Sequence, residues 1–114
     1  MKPTSAKAKG RKLQQWVRDA ILRLFPQLEP DDVRSTSMGA NGEDVLLSPA
    51  ARKLFPYSVE CKNLNKIAVY GYYEQAVANC PKGSEPLLII KQNRSKPLAV
   101  VDAEYFIEKM EKRK

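Results

Sequence analysis

Leu13, Trp16, Val17, Ala20, Ile21, Leu24 and Phe25 recur at helical spacing, and Pro26 closes the pattern. A helix with one apolar stripe must bury that stripe, and a core position is expected for Trp16 with the rest. The next segments change period from 3.6 to 2. VRSTS (Val33 to Ser37) reads as a short strand, MGANGED as a turn, and DVLLS as a second strand. Ser48 then caps a helical turn, SPAARKLF, with Pro49 at its first position and Pro56 stopping it. YSVECK reads as a strand, IAVYGYYEQAVANC as a helix, and PLLIIKQ and PLAVVDA as strands joined through NRSK. A final helix, AEYFIEKMEKRK, has Asp102 placed to cap it. Helix, three strands, helix, two strands, helix implies an α/β domain: a small mixed central sheet flanked by helices.

With 114 residues, 43% of them hydrophobic, the chain can bury one core. That domain is expected over residues 10–114. Met1 to Lys9 carries Lys2, Lys7 and Lys9 without an apolar stripe and reads as a flexible basic arm. The net charge of +7 points to a polyanionic partner, nucleic acid before an anionic membrane surface. No apolar run is long enough to span a bilayer and the N-terminus has no apolar signal region, so a cytoplasmic protein without a membrane partner is expected. Cys61 and Cys80 are expected to be reduced. Histidine is absent, which excludes Ser-His-Asp and Cys-His nucleophilic sites, and two cysteines are too few for an ordinary structural zinc site. Any chemistry must come from carboxylates, lysine and a hard cation.

YSVECKN, Tyr57 to Asn63, puts Glu60 and Lys62 on one face of a strand with Val59 and Cys61 opposite. Alternation along DVLLS puts Asp44 on a face with Leu46, and its neighbour Glu43 on the other. If the two strands pair, Asp44 and Glu60 converge. Two close carboxylates repel unless one is protonated or a cation sits between them. Mg²⁺ suits such a pair, since it takes one or two carboxylates and completes its shell with water and phosphate oxygens; Mn²⁺ can substitute. Lys62 could then orient a water or stabilise charge on a phosphate. The charge run Lys7, Lys9, Arg11 and Lys12 is suited to DNA phosphates, and Tyr70, Tyr72 and Tyr73 either stack on bases or pack on the sheet.

The combination Gly42-Glu43-Asp44-Val45, then Val59-Glu60-Cys61-Lys62 on a strand, then a helix with Glu74-Gln75-Ala76, resembles the PD-(D/E)XK nuclease superfamily, which has the restriction-endonuclease-like fold. The order of elements from Arg11 to Asp102 is compatible with that core. The resemblance implies that Asp44, Glu60 and the backbone carbonyl of Cys61 bind metal, that Lys62 is the catalytic lysine, and that Gln75 assists. Among small branches the chain is most similar to the archaeal and phage type of Holliday junction resolvase, in which a basic glycine-containing segment leads into the first helix, as KAKGRKLQQW does here. That implies a homodimer acting on branched DNA, with a nuclease for duplex, nicked or foreign DNA, or a catalytically silent DNA-binding module, as alternatives. One departure is the first-helix glutamate of that branch, for which this chain offers only Gln14 or Gln15. A neutral amide adds no negative charge to the site.

Overall fold

The computed structural model describes residues 3–36 and 42–112. Among these residues four α-helices, α1 (Pro3–Leu24), α2 (Pro49–Leu54), α3 (Val69–Ala78) and α4 (Ala103–Lys112), flank five strands: β1 (Val33–Ser35), β2 (Val45–Leu47), β3 (Tyr57–Asn63), β4 (Glu85–Lys91) and β5 (Leu98–Val100). The strands form one sheet in the order β1-β2-β3-β4-β5. β3 and β4 are parallel and every other pairing is antiparallel. α3 is the crossover that a parallel pair requires. This is the expected α/β arrangement of a mixed sheet flanked by helices.

α1 begins eight residues before the expected Arg11. Residues 3–9, read from the sequence as an arm, form its first turns, while Met1 and Lys2 lie outside the described residues. The physical reason is local. Ala6, Lys7, Ala8 and Lys9 are strong helix formers, and Pro3 fits a first turn. Lack of an apolar stripe there says only that those turns need not be buried.

Leu13, Val17 and Ile21 of α1 pack on Val33, Val45, Val59, Cys61, Leu87 and Ile89. Val59 and Cys61, and Leu87 and Ile89, are alternate positions of β3 and β4, and Val33 and Val45 lie on β1 and β2, so α1 covers one face of the sheet. The other face carries Ser58, Glu60 and Leu88, with Ala76 of α3 buried above it. β4 is thus buried on both sides, and its EPLLIIK shows the continuous apolar run that such a strand needs. The central part of the turn after β1, residues 37–41, lies outside the described residues; Gly42, which follows, has φ +98°, a conformation that costs glycine little. The expected pairing of β4 with β5 through Asn93 to Lys96 is present. At the last helix, Asp102 Oδ1 accepts from the Tyr105 amide at 2.8 Å, as an N-cap should. Among the described residues no helix is long and apolar enough to cross a membrane, and Cys61 and Cys80 are free thiols.

Ser48 does more than start α2. Its Oγ accepts from the Ala51 amide at 3.1 Å and donates to Asp32 Oδ1 at 2.6 Å, and its amide donates to the Asp32 carbonyl at 2.8 Å. One hydroxyl therefore caps a helix and ties it to the turn Pro30–Asp32 before β1. Ser48→Ala is expected to destabilise the fold by about 1 kcal/mol, the usual worth of an N-cap side chain. An unchanged denaturant midpoint would show that water replaces both bonds without loss.

Candidate active site

β2 and β3 pair through Val45 and Val59, whose side chains are both buried under α1. The residues beside them, Asp44 and Glu60, face the other way. The ladder ends there. Asp44 still donates its amide to the Val59 carbonyl at 2.9 Å, but beyond it β2 leaves β3. The Cys61 amide has lost its backbone partner, and Asp44 Oδ2 accepts from it at 2.7 Å. An opening between diverging strands is therefore lined by a carboxylate pinned to the neighbouring strand.

Glu60 is 4% exposed. Its Oε2 lies 3.5 Å from Lys62 Nζ, and Asn79 Nδ2, at the end of α3, donates to its Oε1 at 3.5 Å. The Lys62 ammonium also sits 4.8 Å above the ring of Tyr72, so α3 supplies a hydrogen-bond donor to the acid and an aromatic face to the base. Burial pushes the carboxyl groups of both Asp44 and Glu60 above the ordinary range. Asp44 raises Glu60 further; the Cys61 amide and Lys62 act against the shift at Asp44, and Lys62 and Asn79 against it at Glu60. Burial, with both acids nearby, pushes the Cys61 thiol up, which disfavours its thiolate form.

The folded protein accordingly binds protons at this pair more tightly than the unfolded chain does. The resulting penalty is absent below the carboxylates' unfolded range and complete above their raised values, so this pair makes stability fall as pH rises through that window. Asp44→Asn keeps an acceptor for the Cys61 amide and removes the repulsion. In EDTA it should raise the thermal midpoint at neutral pH and lose that advantage near pH 4. A midpoint no higher than wild type at neutral pH would mean that Lys62 already neutralises the pair.

The structure thus brings Asp44, Glu60, the Cys61 backbone and Lys62 together. Glu43, the other acid of that segment, is engaged elsewhere in an ion pair with Arg52 at 2.8 Å. Gln75 is exposed on α3, and it is Asn79, one turn later on the same helix, that reaches Glu60. On α1, Gln14 is 2% exposed at the sheet interface whereas Gln15 faces outward. Lys7, Arg11 and Lys12 are exposed along that helix and Lys9 is partly buried. Tyr72 serves the site, while Tyr70 is largely exposed. The expectation that Trp16 is core is corrected: half of it is exposed (50%). The stripe of α1 is wider than the patch of sheet available to cover it.

Two residues at the site escaped the sequence reading. Asn79 stands four after Gln75, on the same side of α3, so helical spacing left one open where the other was proposed. For Tyr72 the sequence suggests only base stacking or packing on the sheet. No protein-family model, curated protein or solved structure matches this chain.

Proposed function

We propose that the chain is a metal-dependent DNA endonuclease of the PD-(D/E)XK type, with the restriction-endonuclease-like fold, and that its substrate is branched DNA. The observation that carries this reading is the placement of Asp44 and Glu60 side by side on diverging strands with Lys62 next to Glu60 on the same face. Burial makes both acids hold protons more tightly than usual, and Asp44 adds to this at Glu60, so a cation at the pair would relieve part of that cost. Asp44, Glu60 and the Cys61 carbonyl are the hard oxygen donors that Mg²⁺, or Mn²⁺ in its place, prefers. Among the described residues no third Asp, Glu, Cys or His joins them, so water and phosphate oxygens would complete the shell. When bound, the ion would supply electrostatic stabilisation of the phosphate and a more acidic water. Lys62 is suited to orient that water or to balance charge on the phosphate, and Tyr72 and Glu60 hold its ammonium in place. The exposed basic side chains of α1 supply sequence-independent contacts to phosphates.

Resolving a four-way junction takes two symmetric cuts, and one such site makes one. A twofold homodimer provides both. The half-exposed Phe106 and Met110 of α4, beside Leu54 and Phe25, offer an apolar groove for that contact. A second reading, a DNA-binding module that does not cut, draws support from the same short ligand set and from glutamines where the resolvases have an acid. One assay divides the two: incubation with branched, duplex and single-stranded DNA, in Mg²⁺ or in EDTA. Products that require Mg²⁺ support the nuclease; binding without products under any condition supports the module.

A further inference from the structure

Trp16 is the chain's sole tryptophan, and it lines a pocket of about 320 Å³ with Lys9, Lys12, Asn63 and Lys91. That volume is at the small end of ligand-sized clefts. The charged groups of the lining are all lysines. Among the described residues the ammonium found over a ring is that of Lys62 on Tyr72, and the ring pairs involve Phe55, Tyr57 and Tyr105. Among the described residues, the indole of Trp16 thus meets neither an ammonium nor another ring.

The pocket has a defined place in the fold. Asn63 and Lys91 end β3 and β4, a parallel pair in register with one another, so it opens at the carboxyl ends of those strands, where α/β sheets leave a crevice. Asn63 Nδ2 donates to the Lys9 carbonyl at 3.1 Å, which fastens α1 to the strand end. Its Oδ1 is buried and accepts no hydrogen bond among the described residues. Asn63 also follows Lys62 directly. The pocket and the carboxylate site therefore sit on opposite faces of one strand, a single residue apart along it.

We infer that this pocket is a subsite for an unpaired nucleobase, which stacks on Trp16 while its flanking phosphates meet Lys9, Lys12 and Lys91. An indole beside Leu13 and Pro97, with three lysines at the edge of the pocket, matches a planar aromatic ligand joined to anions, and a single strand presents both together. Bases within an intact duplex have both faces stacked already and cannot enter. The inference rests on the reading that the partner is DNA and adds what part of the DNA is held: a strand unpaired near the cut.

Because no other tryptophan exists, its fluorescence reports this pocket. In EDTA, single-stranded oligo(dT) should quench the emission, and an abasic phosphodiester chain of the same length should bind without doing so. Trp16→Ala should weaken oligo(dT) binding by about fivefold to a hundredfold, a loss not matched on blunt duplex, and Trp16→Phe should restore most of it. Equal quenching by the abasic chain, or undiminished oligo(dT) affinity in a folded Trp16→Ala protein, overturns the proposal. None of these readouts needs turnover. A protein quenched by oligo(dT) that cuts nothing in Mg²⁺ keeps the subsite and loses the nuclease reading; one that cuts DNA while Trp16 stays silent does the reverse. Absence of binding to any DNA removes both.

Discussion

Lys62→Ala, Glu60→Gln and Asp44→Asn are each expected to lower Mg²⁺-dependent DNA cleavage at least a hundredfold, on the order of what removal of a positioned charge costs a phosphoryl- or acyl-transfer site. Their effects on folding should differ, and the difference is diagnostic. Each of Asp44→Asn and Glu60→Gln removes one charge from a repelling, buried pair, so Asp44→Asn should stabilise the apo fold at neutral pH and Glu60→Gln should leave it at least as stable. Lys62→Ala removes the cation that counters both acids and leaves two carboxylates facing each other across the opening. It should lose stability at neutral pH and recover it as pH falls and the acids take up protons. Binding of DNA in EDTA should stay close to wild type in all three, since the phosphate contacts are assigned to α1 and Lys91 rather than to these residues. Wild-type turnover by Lys62→Ala would falsify the assignment of the site.

The largest effect on stability is expected at Leu88. It has no exposed surface, it is the largest of the fully buried side chains, and it lies in the strand covered on both faces. Leu88→Ala should cost about 2–5 kcal/mol, the range for opening a leucine-sized cavity in a close-packed core. For a domain of this size that corresponds to a fall of roughly 10–20 °C in thermal midpoint. Leu98, 52% exposed on the edge strand β5, serves as the control: Leu98→Ala should cost less than about 1 kcal/mol. Chemical denaturation of the two variants side by side measures both. Similar losses would mean that the sheet's edge is packed as tightly as its middle, contrary to the burial of these strands.

What local chemistry dictates was legible in the residues alone. The stripe from Leu13 to Ile21 specifies a helix, Ser48-Pro49 and Asp102 specify two helix starts, and the alternation of YSVECK specifies that Glu60 and Lys62 share a face. Each rests on atoms a few residues apart, and each is present in the fold. The same local chemistry holds for residues 3–9, where helix formers prevailed over the reading of a basic arm.

Tertiary structure decided the rest. Alternation makes Asp44 and Glu60 partners only if Val45 pairs with Val59, and a slip of one residue would have turned Asp44 to the wrong face. That register is set by valines burying themselves under α1, a helix more than twenty residues earlier in the chain. The bond from Cys61 to Asp44 exists because β2 ends where it does, and Asn79 reaches Glu60 because α3 ends over β3. Trp16 belongs to the apolar stripe by spacing and stands half in the open because the strands it would cover stop at Asn63 and Lys91. Periodicity ranks the faces of an element; only the packed sheet decides how far each face is covered, because burial depends on the whole set of long-range contacts rather than on any one segment.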